Sequence, residues 1–317
     1  MLLNLFLLLI GMFFVWLSAE LIIHASKKIA KYFQLSETFF GLTVLSIGTS
    51  LPEIGTHIAA SLQVLAGNDV SGLAIGTNIG SNTVQITAIL GIVGFFMLIK
   101  AEREFLRKDY MFMLASIVLV FLFSLNHYIS RTEGFLLVTI YLIYLYYLGK
   151  KEFFTSGINH NHKKNGNGLL KNAFFLVIGL VVLLYASSFV VENGEKLAEG
   201  WDVSDSLIGV SLIGIGTALP ELATALVALK RKSSGMSLGV LVGSNITNPL
   251  LALGIGVLIS GYTVSNTILW IDLPVWFFMS VVVLLLVAAN NQLTKRDSII
   301  LLFLYFLYMG FRVFVIQ

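Results

Sequence analysis

The chain has 317 residues and no cysteine, which excludes disulfides and thiolate-bound metals. Charge is scarce too. Asp, Glu, Lys and Arg make up 12% of the residues, about half the share usual in a soluble protein. Hydrophobic residues reach 57% and the mean hydropathy is +0.90, which predicts an integral membrane protein. The net charge of +3 says nothing of nucleic acid, because the basic residues sit in short loops between apolar runs. Neither a nucleic-acid partner nor an obligate protein partner is expected. The N-terminal stretch MLLNLFLLLIGMFFVWLSAE lacks the positive segment and the small-residue cleavage site of a signal peptide, so it reads as a first membrane span. No pair of histidines has ligand spacing, which disfavours zinc and copper. A nucleophile–base constellation is missing as well, so no enzyme activity, catalytic residue or cofactor is expected.

Apolar windows of about 20 residues suit a bilayer core. They fall near 2–24, 35–64, 71–98, 109–126, 132–149, 168–190, 205–229, 236–260, 268–289 and 297–315. The expected fold is an all-α integral membrane protein with ten transmembrane helices, five in residues 1–149 and five in residues 168–317. Residues 150–167, KKEFFTSGINHNHKKNGN, are basic and rich in Gly and Asn, and read as the linker between the halves. Lysines and arginines at 27–31, 100–108, 150–171, 230–232 and 295–296 number 17 on one side, against Arg131, Lys196 and Arg312 on the other. By the positive-inside rule this puts the linker in the cytoplasm and both termini outside the cytoplasmic (inner) membrane.

Two stretches are nearly the same stretch. Residues 35–53 read LSETFFGLTVLSIGTSLPE and residues 203–221 read VSDSLIGVSLIGIGTALPE. At an offset of 168, Gly41, Ile47, Gly48, Thr49, Leu51, Pro52 and Glu53 recur as Gly209, Ile215, Gly216, Thr217, Leu219, Pro220 and Glu221. Further along, GSNTVQ (Gly80–Gln85) is answered by GSNITN (Gly243–Asn248). Gly11 with Gly179 and Ala30 with Ala198 extend the match back to spans 1 and 6. An odd number of spans per half forces the repeats into opposite orientations. Inverted five-helix repeats with interrupted helices 2 and 7 are the signature of a secondary transporter with its site near the midplane. A channel fits less well, because its charges usually ring a continuous pore.

The Gly-Thr breaks, each followed by a proline, free backbone carbonyls around Ser46–Thr49 and Gly214–Thr217. Such backbone is tolerated in a membrane only where protein buries it or a cavity borders it. A glutamate inside an apolar segment is costly and marks a functional site by default. Pairing the repeats about a two-fold brings Glu53 opposite Glu221. Two bidentate carboxylates and one carbonyl from each break supply about six hard oxygens, within the range Ca²⁺ takes, and the two charges balance it. Gln85 and Asn248 read as ligands or site-lining amides. Asn82 and Asn245 read equally as helix-bridging hydrogen bonders or ion contacts. His57, one turn beyond Glu53 and matched by Ala225, reads as a satisfied or pathway-lining histidine.

The paired GTSLPE and GTALPE motifs, the GSN elements and the five-plus-five layout closely resemble the sodium/calcium exchanger branch of the cation/Ca²⁺ exchanger superfamily, above all its compact prokaryotic members. The resemblance covers essentially the whole chain. It implies that spans 2, 3, 7 and 8 form the binding core, across which spans 1 and 6 slide. It also implies that Glu53 and Glu221 bind Ca²⁺ or Na⁺ directly, with Thr49 and Thr217. The Ser46 carbonyl with Ser81, and the Gly214 carbonyl with Ser244, would hold flanking Na⁺. The chain departs from the family where a further acidic residue often stands, carrying amides at both Gln85 and Asn248. The expected function is exchange of Na⁺ for Ca²⁺. H⁺/Ca²⁺ antiport on the same two carboxylates is the alternative, with the lipid bilayer as the surrounding partner.

Overall fold

The computed structural model describes residues 2–155, 166–199 and 217–315. Gly209, Gly214, Ile215 and Gly216 in the first part of the expected seventh span, and linker residues 156–165, lie outside the described residues. In chain order the helices begin with α1 (Leu2–Phe33), α2 (Glu37–Phe40), α3 (Ser46–Thr49), α4 (Leu51–Leu65) and α5 (Ser71–Val84). Next come α6 (Leu90–Phe96), α7 (Arg103–Phe105), α8 (Met111–Ser124), α9 (Arg131–Thr155) and α10 (Gly166–Glu199). The last are α11 (Leu219–Lys230), α12 (Ser234–Thr247), α13 (Leu253–Ser260), α14 (Leu273–Asn290) and α15 (Lys295–Val315). Single π-helical turns precede α3, α6, α8, α13 and α14, at Gly41–Leu45, Gln85–Ile89, Leu106–Tyr110, Asn248–Ala252 and Ile268–Asp272. Four two-residue strands complete the set: β1 (Ile99–Lys100), β2 (Tyr128–Ile129), β3 (Tyr262–Thr263) and β4 (Gln292–Leu293).

Six stretches among the described residues are long and apolar enough to cross a membrane: Leu3–Phe33, Ser71–Phe96, Arg131–Glu152, Gly168–Val190, Ser234–Ser260 and Ile268–Asn290. Phe6, Phe13, Leu73, Tyr146, Tyr185 and Leu285 stand exposed along them, a density of bare apolar surface that lipid covers and water does not. The protein is an α-helical, multi-pass membrane protein. It divides into two compact units, and each draws on both halves of the sequence. One comprises Met1–Thr49 with Leu148–Val240, the other Ser50–Tyr147 with Leu241–Gln317.

In the first unit α1 lies along α10, and glycine sets the separation. A Cβ on Gly11 would fall 2.7 Å from Val190 Cγ2, and one on Gly179 would fall 2.8 Å from Ile22 Cγ1. The two glycines matched by the repeat therefore each receive the other helix, which is close packing through small residues. Val15, Ala19, Ile22 and Ile23 are buried there with Leu183 and Ala186, and with Val227 and Ala228 of α11. The π turn Gly41–Leu45 meets α12 in the same way. Ideal Cβ atoms on Gly41 and Gly239 would each fall 2.8 Å from a carbonyl oxygen, of Met236 and Thr38 respectively, so backbone touches backbone.

In the second unit α4 packs along α13, and α6 along α15. At the crossing of α9 and α13 a Cβ on Gly134 would lie 2.5 Å from Leu258 N and 2.9 Å from Gly254 O. Main-chain atoms have no rotamer to escape into. Gly134→Ala is therefore expected to destabilise by about 1–3 kcal/mol, read as a lower melting midpoint in detergent. Gly310→Ala, where a Cβ meets nothing within 4 Å, is expected to be silent. Strand β1 pairs antiparallel with β4 (Ile99↔Leu293) and β2 with β3 (Tyr128↔Thr263). Positions 99 and 262 begin β1 and β3, an offset of 163, and positions 128 and 292 begin β2 and β4, an offset of 164. Each half thus bonds its strands to those of the other half.

Candidate functional site

Where both copies of the doubled motif are described, at the start of the helix that carries the glutamate, their backbones agree. Ser50 (φ −84, ψ 5) and Ala218 (φ −93, ψ 4) each stand at the N-cap, and Pro52 and Pro220 sit in the first turn that follows. There a missing N–H is harmless, because the first turn has no internal partner for it. Glu53 and Glu221 follow within that first turn, where a helix N-terminus favours a carboxylate. The break in span 2 therefore falls one residue later than expected: Gly48-Thr49 stays helical within α3, and Ser50 is the residue that turns.

In the first unit α3 packs on α11, bringing together the elements that carry Ser46, Thr49 and Glu221; Thr217 lies two residues ahead of α11. Glu221 is 0% exposed. Thr49 Oγ1 donates to Leu45 O at 3.0 Å and Ser46 Oγ to Leu42 O at 2.7 Å. A hydroxyl that spends its proton on its own helix keeps its lone pairs for another partner. Gly214, expected to offer its carbonyl, lies outside the described residues.

The second unit holds the rest. Trp276 Nε1 donates to Asn245 Oδ1 at 3.1 Å, and Asn245 Nδ2 to Gln85 Oε1 at 3.0 Å. Gln85 Nε2 donates to Ser81 Oγ at 3.2 Å, and Ser81 Oγ to Glu53 Oε1 at 3.2 Å. Four donors thus run one way, from a fully buried indole to a carboxylate that is 4% exposed. A second set fixes Asn248. Its Nδ2 donates to Asn82 Oδ1 at 3.0 Å, while Asn78 Nδ2 donates to the Asn248 carbonyl at 2.9 Å. Asn82 Nδ2 in turn donates to Asn78 Oδ1 at 3.1 Å. The Asn78 amide also lies 3.0 Å from His57 Nε2, which makes that ring nitrogen the acceptor and puts the imidazole proton on Nδ1. His57 is a satisfied histidine. Asn82 and Asn245 are the helix-bridging amides, and Ser244 is buried beside Asn245.

Gln85 and Asn248 each open a π turn, a device frequent at functional sites because it re-aims side chains within an otherwise regular helix. After all these bonds are made, Glu53 Oε2 and Asn248 Oδ1 remain buried with no hydrogen-bond partner among the described residues. No group of three or more His, Asp or Glu that could hold a metal occurs among the described residues. A cation in this unit would meet one carboxylate together with amide and hydroxyl oxygens.

Residues 3–150 and 171–314 match the family described as sodium/calcium exchanger protein. The chain belongs to the sodium/calcium exchanger family. It is 30% identical to the sodium/calcium exchanger MaX1 of Methanosarcina acetivorans, over 95% of this chain and 96% of that one. It is also 30% identical to the inner membrane protein YrbG of Escherichia coli, over 89% and 88% of the two chains. Structures of the sodium-calcium exchanger NCX_Mj superpose on it. The form soaked with 10 mM Na⁺ and zero Ca²⁺ gives a TM-score of 0.83 at 29% identity, with 98% of each chain covered. Family membership makes this chain a cation/Ca²⁺ exchanger, a transporter and not an enzyme.

Sequence reasoning missed Asn78, Trp276 and Tyr262, whose Oη donates to the His57 carbonyl at 2.9 Å, as supports of the site. It also missed a repeated pair of buried aspartates. Tyr144 Oη donates to Asp109 Oδ1 at 3.2 Å, and Tyr308 Oη to Asp272 Oδ1 at 3.0 Å, with Arg312 Nη2 on the other oxygen at 3.1 Å. From 109 to 272 is 163 positions and from 144 to 308 is 164, so a second self-comparison at that offset exposes them.

Proposed function

We propose that this exchanger is a secondary-active antiporter, moving Na⁺ against Ca²⁺ across the cytoplasmic membrane by alternating access. Its ten spans form two inverted repeats, 1–149 and 168–317, about the cytoplasmic linker 150–167, with both termini extracellular. The near-equal offsets of strands and π turns between the halves, 162 to 164 positions, support that arrangement. The observation that carries the ion assignment is the pair of buried acceptors, Glu53 Oε2 and Asn248 Oδ1. A buried acceptor without a donor costs about 1–3 kcal/mol, and a charged one more, and a bound cation removes that cost. Glu53 and Glu221, one from each copy of the motif, bind Ca²⁺ with Thr49 and Thr217. Gln85 and Asn248 add amide oxygens. The Ser46 carbonyl with Ser81, and the Gly214 carbonyl with Ser244, serve Na⁺. Every ligand is a hard oxygen, as Ca²⁺ requires. The likeness to MaX1 and NCX_Mj agrees with both ions.

The deciding experiment is ⁴⁵Ca²⁺ uptake into proteoliposomes driven by a Na⁺ gradient or a pH gradient, each imposed alone. Uptake on the Na⁺ gradient only is expected. Uptake on the pH gradient only would make protons the coupling ion. Orientation is tested separately, because a chain without cysteine accepts single cysteines at will. Asn161→Cys is expected to react with an impermeant maleimide from the cytoplasmic side and Gly200→Cys from outside. Reaction of both from one side would overturn the inverted layout.

A further inference from the structure

We propose that the last turns of α1 and the end of α11 form a binding cleft for the phosphate of an anionic lipid headgroup. The cleft has a volume of about 580 Å³, within the range of sites that enclose a small organic ligand. Its walls carry Lys27, Lys28, Lys31 and Arg231, with His24, against a single carboxylate, Glu37. That carboxylate is already used. Lys27 Nζ lies 3.1 Å from Glu37 Oε1, and Ser233 Oγ donates to Glu37 Oε2.

Two of the four cations are held in place. Lys27 Nζ donates to the Arg231 carbonyl at 2.9 Å, and Arg231 Nε donates to Glu20 Oε2 at 2.8 Å. The other two, Lys28 and Lys31, stand one turn apart on α1, and no carboxylate among the described residues pairs with either. Among the described residues the cleft is thus lined by two ordered cations and two ammonium groups with no carboxylate partner. An anion suits that lining.

Depth selects the lipid. The apolar window that opens α1 closes near position 24. Lys28 and Lys31 lie four and seven positions further, about 6 and 10 Å of helix rise, so their long side chains reach back into a headgroup layer about 5–7 Å thick. Ala30 and Leu35 give the cleft apolar wall, suited to a glycerol backbone. The basic residues at 100–108 lie on the same side by charge counting, yet Lys100 and Arg107 are exposed and are not among the residues that line this cleft.

The test is a titration of phosphatidylglycerol into phosphatidylcholine nanodiscs holding the full chain, following the melting midpoint. A nanodisc offers both leaflets, so the outcome is independent of the orientation proposed above and of ion exchange. Phosphatidylglycerol is expected to stabilise the native protein. Lys28→Gln with Lys31→Gln should need about 25-fold more lipid for the same effect, roughly fivefold for each lysine. The charge-matched pair Lys100→Gln with Arg107→Gln should behave as the native protein does, and Lys28→Arg with Lys31→Arg should restore binding. An equal loss in both glutamine pairs would reduce the effect to general surface charge and overturn the site. Stabilisation by inorganic phosphate or glycerol phosphate without phosphatidylglycerol would overturn the lipid as its occupant, as would a native protein indifferent to phosphatidylglycerol.

Discussion

Glu53→Gln and Glu221→Gln are each expected to abolish Ca²⁺ exchange while the helices remain inserted and folded. The substitution keeps shape and, at position 53, keeps an oxygen to accept from Ser81 Oγ. It removes the charge, and it turns a lone-pair donor into an N–H₂ group that repels a cation. Truncating one partner of a buried charge pair costs about 2–5 kcal/mol, which makes Ca²⁺ binding weaker by about thirtyfold to several thousandfold. The readout is Na⁺-driven ⁴⁵Ca²⁺ flux beside a melting curve for each variant. Near-native flux in both variants, with the melting midpoint unchanged, would remove the two glutamates from the site.

The second large effect is an absence. Exchange is expected to be electroneutral, two monovalent cations for each Ca²⁺. With amides at Gln85 and Asn248, Glu53 and Glu221 are the only charges that the GTSLPE, GTALPE and GSN elements supply. One Ca²⁺ or two Na⁺ neutralises them. A third Na⁺ would leave a net positive charge near the midplane, worth about 2.5–3.5 kcal/mol on insertion scales. The measurement is the equilibrium Ca²⁺ ratio at fixed ion gradients while a K⁺/valinomycin potential is varied. An electroneutral cycle leaves that ratio constant. A cycle carrying one net charge would move it by about 2.3 kcal/mol per 100 mV, close to fiftyfold, and that shift would sink the charge argument.

What was legible in the sequence was what repeats locally. The Gly-Thr-x-Leu-Pro-Glu stretch announces its own break, because proline in a first turn and a carboxylate after it are local preferences. Its backbone at Ser50 and Ala218 follows the expectation to within one residue. The long apolar runs of α1, α10 and α14 were equally plain. The π turns at Gln85 and Asn248 were not, since a π turn uses the same residue types as the helix around it and is selected by packing. The bond from Asn245 that aims Gln85 and the bond from Ser81 to Glu53 reach across sequence separations of 160 and 28 residues. No local pattern encodes them. Asp109 and Asp272 were hidden for another reason. The repeat offset changes from 168 to about 163 between the first motif and the later spans, so a single self-alignment stops short of them.

The strand pairs bear on how the chain is made. Ile99 is synthesised 194 residues before Leu293, to which it is bonded, and Tyr128 is synthesised 135 residues before Thr263. Insertion into the bilayer proceeds from the N-terminus, but closure of the second unit waits for β4 to emerge. Until then the nascent first half carries two strand edges with no partner, the kind of template that invites wrong pairing. Contacts so distant in sequence also close slowly. A chain arrested at the linker is therefore an unfinished object with adhesive ends, a substrate for membrane quality control before it is a transporter.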